Sequence, residues 1–183
     1  MILFEKIRWK NFLSTGNAFT EVQLDRTKST LIIGDNGAGK STILDALTFV
    51  LFGKPFRAVN KSQLINSVNQ NGTEVEVEFS IGSKQYLVKR GIKKNFFEIY
   101  QDGNMLNQDA SVRDYQEYLE KTILKLNYKS FTQIVILGSS SFVPFMQLKA
   151  NDRRTIIEDL LDIEIFSVMN QLLKVRVAQN KED

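Results

Sequence analysis

Eight consecutive residues constrain this chain more than any others. Gly34-Asp35-Asn36-Gly37-Ala38-Gly39-Lys40-Ser41 fits G-x-x-x-x-G-K-[ST] in full. A loop of this kind wraps a run of phosphates with backbone N–H groups, and its glycines allow the φ values that turn several of them inward. It needs a strand before it and a helix after it, because the helix N-terminus adds its positive end to the same anion site. Ser29-Thr30-Leu31-Ile32-Ile33 is a compact apolar run that reads as a buried strand. Ser41 to Phe52 reads as a helix, apolar on most faces, with Gly53 at the C′ position and Pro55 soon after. The predicted ligand contacts are Asn36, Gly37, Ala38, Gly39, Lys40, Ser41 and Thr42. Lys40 is expected to bridge the β- and γ-phosphates and to act in catalysis, the Ser41 hydroxyl to ligate Mg²⁺, and Thr42 to bond the α-phosphate.

The loop alone does not name a reaction, since GTPases, small-molecule kinases, helicases and transport ATPases share it. Composition narrows the field. The 183 residues contain no cysteine and no histidine, which removes thiol nucleophiles, disulfides, imidazole bases and Cys/His zinc sites. The chemistry left is that of carboxylates, Lys, Arg, hydroxyls, backbone amides and a hard metal on oxygen ligands. A net charge of +3 (24 Lys and Arg against 21 Asp and Glu) allows a local phosphate-binding face but argues against a coat for nucleic acid. No apolar run approaches the roughly 18 residues of a membrane span. The N-terminus lacks the long apolar stretch of a secretory signal, so a cytoplasmic location is expected.

Residues 2–9 and 19–24 read as short strands around a turn. Val75, Val77, Phe79 and Ile81 alternate with Glu74, Glu76, Glu78 and Ser80, the period of a half-exposed strand. The three glutamates read as the solvated face of an edge strand. Gly82-Ser83 turns the chain into strands over 85–90 and 96–101, and Asp102-Gly103 marks another tight turn. Residues 111–126 read as a helix, and the apolar run Phe131 to Leu137 as a strand containing Gln133. A last helix, capped by Asn151, carries Leu161, Ile165, Val168, Leu172 and Val175 at alternating steps of four and three. That seam fits a coiled coil or an amphipathic surface helix. Lysine and arginine cluster at Lys6, Arg8, Lys10, at Lys89, Arg90, Lys93, Lys94, at Lys121, Lys125, Lys129 and at Arg153, Arg154, each a solvated face or a track for a nucleic-acid backbone. Asp45 reads as a structural residue.

Three segments resemble the N-terminal half of the SbcC-type, SMC-like DNA-repair ATPase head. They are Ile7 to Ser14 with its Lys10-Asn11-Phe12 turn, Leu31 to Leu47, and Phe131 to Leu137 followed by Phe142 to Met146 and Asp152 to Leu161. Phe52 to Arg57 and Gln63 to Ser67 further resemble the large subunits of tailed-phage recombination endonucleases. The resemblance implies an α/β fold, the N-terminal lobe of an ABC/SMC-like P-loop NTPase. An antiparallel β meander and a C-terminal helix leading into a coiled coil complete it. Residues 1–155 would form the N-terminal half of the ATPase head and 156–183 the start of the coiled coil. It implies ATP and Mg²⁺ as cofactors and an ATP-dependent homodimer of heads. Its partners would be the C-terminal half of the same head, an SbcD-type nuclease subunit and double-stranded DNA, in the host cytoplasm if the gene is a phage's. No LSGG-like signature and no apolar strand ending in Asp-Glu occurs, which marks the chain as half a head. Where relatives carry a metal-binding glutamine loop, this chain has Gly138-Ser139-Ser140-Ser141, making Ser139 a candidate second Mg²⁺ ligand. Leu13 stands where many relatives have arginine.

Two readings compete with a DNA-repair ATPase. One is a P-loop nucleoside or small-molecule kinase, although no convincing lid segment is evident. The other is a non-catalytic interaction module that binds nucleotide only for stability.

Overall fold

The computed structural model describes residues 2–106, 112–136, 143–161 and 163–182. They form two compact units, Met1–Leu119 and Glu120–Asp183. The first is a six-stranded antiparallel sheet with a helix laid on it. Its strands are β1 (Ile2–Lys10), β2 (Thr20–Gln23), β3 (Thr73–Ile81), β4 (Lys84–Ile92), β5 (Phe96–Gln101) and β6 (Asn104–Met105), in spatial order β2-β1-β3-β4-β5-β6. Two helices belong to this unit, α1 (Thr42–Phe52) and α2 (Val112–Tyr118).

The alternation in β3 builds the core. Val75, Val77 and Phe79 are fully buried, together with Ile7 of β1, Val88 of β4 and Ile99 of β5. Helix α1 packs on β1, β3 and β4 and buries Ala46, Phe49, Val50 and Leu51. It ends as predicted: Gly53 adopts φ 70°, and its N–H donates to the Phe49 carbonyl at 2.8 Å. The next two carbonyls of this last turn are taken by side chains. Arg90 Nε donates to Val50 O at 3.0 Å and Gln116 Nε2 to Leu51 O at 2.9 Å. Arg90 is thus a buried structural cation, its guanidinium 3.7 Å from the Phe97 ring centroid. The turn at Gly82 (φ 62°) sets β3 against β4, and Asp102 and Gly103 (φ 50° and 81°) turn β5 into β6. Gly91 is fixed by a close approach instead: a Cβ there would lie 2.2 Å from the ring of its cross-strand partner Phe96.

Two strand expectations fail in this unit. Residues 29–33 form no strand, and Leu31, Ile32 and Ile33 are 83%, 48% and 83% exposed. A buried strand needs ladder partners and a covering layer, and all six described strands are paired without it. The glutamates of β3 do not face solvent from an edge. β3 lies between β1 and β4, and the register sets Lys10 opposite Glu74, Arg8 opposite Glu76 and Lys6 opposite Glu78. The three pairs close at 2.7, 2.6 and 2.7 Å. Glu76 is almost wholly buried and also meets Lys89 at 3.4 Å. Burial pushes its pKa up, but the Arg8 hydrogen bond and the Lys89 and Arg8 charges outweigh that, so the net shift is downward. The Lys6, Arg8, Lys10 cluster is therefore a neutralised face.

The second unit is helical: α3 (Tyr128–Ile134), α4 (Ala150–Leu161) and α5 (Glu164–Glu182). The predicted helix over 111–126 is α2 followed by a wider π-helical stretch, Leu119–Leu124. The run expected as a strand from Phe131 is helical through Ile134. Asn127 caps α3, its side chain accepting from Ser130 N at 3.0 Å, and the helix buries Ser130 and Phe131 together. Asp159 of α4 accepts hydrogen bonds from both Asn127 and Ser130. Asn151 lies inside α4, where its carbonyl accepts from Thr155 Oγ1 at 3.1 Å, and is not the cap. The single last helix is two, α4 ending at Leu161 and α5 starting at Glu164. Leu161, Ile165, Val168, Leu172 and Val175 are all exposed. No described helix is long and apolar enough to cross a membrane.

Candidate functional site

The loop Gly34–Ser41 leads directly into α1. Gly37 and Gly39 hold φ of 89° and 90°, a region that favours glycine, so the glycine spacing of the motif is a backbone requirement here. Within the loop, Ala38 N donates to Asp35 O at 3.1 Å and Thr42 N to Gly39 O at 2.9 Å. The amides of Asn36, Gly37, Gly39, Lys40 and Ser41 donate to no described acceptor. Ser41 is the N-cap of α1, yet its side chain makes no capping bond and stays exposed. Lys40 Nζ donates to the carbonyls of Gly34 at 2.6 Å and Asp35 at 2.8 Å, and no described carboxylate pairs with it. Unengaged amides, a cation without a counter-charge, an unspent hydroxyl and a helix N-terminus fit a phosphate with a hard metal beside it.

These groups face an open cavity of 540 Å³. The structure brings Asn36, Gly37, Gly39, Lys40, Ser41 and Thr42 to its lining, while Ala38 lies on the loop away from it. Ser139, the other candidate metal ligand, lies outside the described residues. Gln133 sits on α3 in the second unit, with a buried side-chain oxygen that has no described partner.

The opposite walls are Leu13, Ser14, Arg57, Gln63, Ile65 and Ser67, none of them singled out from the sequence as site residues. Long-range contacts place them. Leu13 holds a positive φ of 54°, with its N–H on Leu64 O at 2.7 Å, and Phe12 bridges to Ile65. Buried Asn66 spends its whole amide on this corner. Its Nδ2 donates to Leu13 O and Thr15 O at 3.1 and 3.0 Å, and its Oδ1 accepts from Val68 N and Asn69 N at 3.0 and 2.9 Å. Arg57 is held by Asp45, which is fully buried on α1 and accepts from Arg57 N at 2.9 Å and Nε at 2.7 Å. Asp45 itself does not line the cavity; it reaches the cavity only through Arg57.

The AAA domain family model matches residues 6–183. The chain belongs to this family. Exonuclease subunit 2 of Escherichia phage RB69 is 45% identical over 174 residues, covering 95% of this chain and 31% of that protein. The SbcC component of the SbcCD nuclease of Pseudomonas aeruginosa is 28% identical, over 96% of this chain and 17% of its own length. The chain therefore spans about a third or less of the curated relatives it matches. An Smc head domain of Pyrococcus furiosus, solved with an extended coiled coil and bound to part of ScpA, superimposes with a TM-score of 0.63 at 21% identity. That match covers 100% of this chain and 47% of that one. The fold is that of an SMC-type head lobe. Within the AAA domain family the chain is SbcC-like in sequence and has the fold of an SMC head, as its P-loop and its Lys10-Asn11-Phe12 turn led us to expect.

Proposed function

We propose that this chain is the ATP-binding N-terminal segment of a DNA recombination and double-strand-break repair ATPase. It would pair with a second head on ATP and regulate a partner nuclease acting on DNA ends. The observation that carries this reading is the loop itself: among the described residues Lys40 has no counter-charge, five loop amides are unengaged and the Ser41 hydroxyl is unspent. Bound Mg-ATP supplies the phosphoanhydride whose cleavage water completes. For its part the chain contributes binding and orientation. Lys40 would exchange two neutral carbonyls for phosphate oxygens, the amides of Asn36, Gly37, Gly39, Lys40 and Ser41 would wrap the anion, and the Ser41 hydroxyl would hold the metal, with Ser139 the further candidate. No Asp or Glu is among the described residues that line the cavity, which supports the reading that the carboxylate that orients water comes from another segment. The C-terminal half of the head and the second head are the proposed sources of what closes the site. An SbcD-type nuclease and double-stranded DNA are the proposed outer partners. Residues 1–155 serve as the head segment and 156–183 lead into a coiled coil, a reading supported by the exposed apolar seam of α5.

The test is Mg-ATP binding and turnover by this chain alone, with Lys40→Ala alongside. Binding without turnover, weakened at least about tenfold in the variant, is the expected outcome. Turnover at a full catalytic rate would overturn the half-site reading. Phosphoryl transfer to a small acceptor would favour a kinase.

A further inference from the structure

The cavity holds a second cation besides Lys40, and its placement is unusual. Arg57 lies in an irregular stretch beyond the end of α1, where no helix or strand fixes it. Its side chain is 48% exposed and lines the phosphate cavity. A long, half-exposed side chain there would ordinarily sample many rotamers. Asp45 prevents that. Its Oδ1 accepts from the Arg57 backbone N–H at 2.9 Å, and its Oδ2 takes Nε at 2.7 Å and Nη2 at 2.5 Å. Backbone and guanidinium are gripped by one carboxylate, itself 0% exposed and rooted one turn into the helix that the loop opens. The grip is side-on, through Nε and Nη2, so the remaining N–H groups of Nη1 donate to no described residue. A buried carboxylate is costly unless fully paired, and a simple tie for the loop would need only the backbone bond.

We propose that Asp45 is a positioning residue for the phosphate cavity, holding the Arg57 guanidinium on its wall so that Nη1 meets an anionic ligand. The proposal rests on the nucleotide-binding reading above and adds to it a residue that acts without touching the ligand. Pre-set donors bind more tightly because less freedom is lost on binding.

A double-mutant cycle tests it, with Mg-ATP as the probe and the 183-residue chain as the protein. Asp45→Asn keeps the size and one acceptor but turns an amide N–H toward the guanidinium. The variants are Asp45→Asn, Arg57→Gln and the pair together, with Lys40→Ala as the control for the loop. Each single change should weaken binding by about tenfold, the worth of one charge-assisted hydrogen bond. The pair should bind within about twofold of Arg57→Gln alone, because Asp45 acts only through Arg57. Effects that multiply, or wild-type affinity in Asp45→Asn with only a lower melting temperature, would overturn the proposal. Arg57→Lys, at a half-exposed site that tolerates change, covers the case in which Asp45→Asn does not fold. It keeps the charge but loses the side-on grip and should resemble Arg57→Gln; wild-type binding by it refutes the idea. The Arg57 Nε–H NMR signal gives an independent reading, protected from exchange in the parent and exposed in Asp45→Asn. If Lys40→Ala binds as the parent does, or the parent does not bind, the nucleotide reading itself has failed and the proposal falls with it.

Discussion

Two segments of this chain carry the marks of a strand, and only one became one. Residues 73–81 alternate valine with glutamate, a pattern with charge at every second position. Residues 29–33 are the more apolar stretch and sit where the phosphate loop calls for a buried strand. Yet the first is the central strand β3, with Val75, Val77 and Phe79 fully buried, while Leu31 and Ile33 are each 83% exposed. The difference lies in partners. β3 has β1 and β4 on its two edges, α1 over its apolar face, and a cation opposite each glutamate. The run before the loop has none of these among the described residues. Apolarity qualifies a segment for burial, but neighbours decide whether burial happens.

The sharpest way to break this comparison is to put a charge into the buried segment and a polar group into the exposed one. Val77→Asp buries an unpaired carboxylate and should cost about 4 kcal/mol or more, read as a collapse of the urea midpoint. A small loss would mean that β3 is not the centre of the core. Next in size is the charged face of the same strand. Glu76→Gln should cost about 1–2 kcal/mol at neutral pH, since Arg8 and Lys89 keep some access to water. The pH dependence fixes the sign. The folded-state pKa of Glu76 lies below its ordinary 4.5, so its contribution is fully present above that value. It fades as pH falls through the lowered one. Urea midpoints between pH 7 and 3 should show this acid-side loss in the parent and a smaller one in Glu76→Gln. Equal slopes would remove Glu76 from the account. The smallest effect belongs to the other segment. Ile33→Ser should change the stability of this chain by less than about 0.5 kcal/mol. A cost above about 1.5 kcal/mol would show that the run is buried after all.

What could be read from the sequence followed from local rules. The phosphate loop, α1 with its glycine stop, and the turns at Gly82 and Asp102-Gly103 each depend on residues within one or two turns of one another. What escaped depended on distant ones. The glutamates of β3 looked solvated because their cations lie some seventy residues away on β1. The helix over residues 128–134 looked like a strand because its run of apolar residues is short enough for either, and Asn127 as its cap was overlooked. In the site, the loop side was legible by pattern. The facing wall at Leu13, Ile65 and Ser67 is assembled by Asn66 and a single bridge between Phe12 and Ile65, which no spacing reveals.

The charge ladder between β1 and β3 has one more consequence, for copies of the chain meeting before they finish folding. All three cations stand on β1 and all three anions on β3. Two β1 segments laid antiparallel would set lysine and arginine against their own kind, and two β3 segments would set glutamate against glutamate. Like charges directly opposite each other weaken a strand pair. Each strand is thus repelled by its twin and drawn to its complement, so in a crowded solution of nascent chains these two strands can tell a neighbour within the chain from an identical stranger.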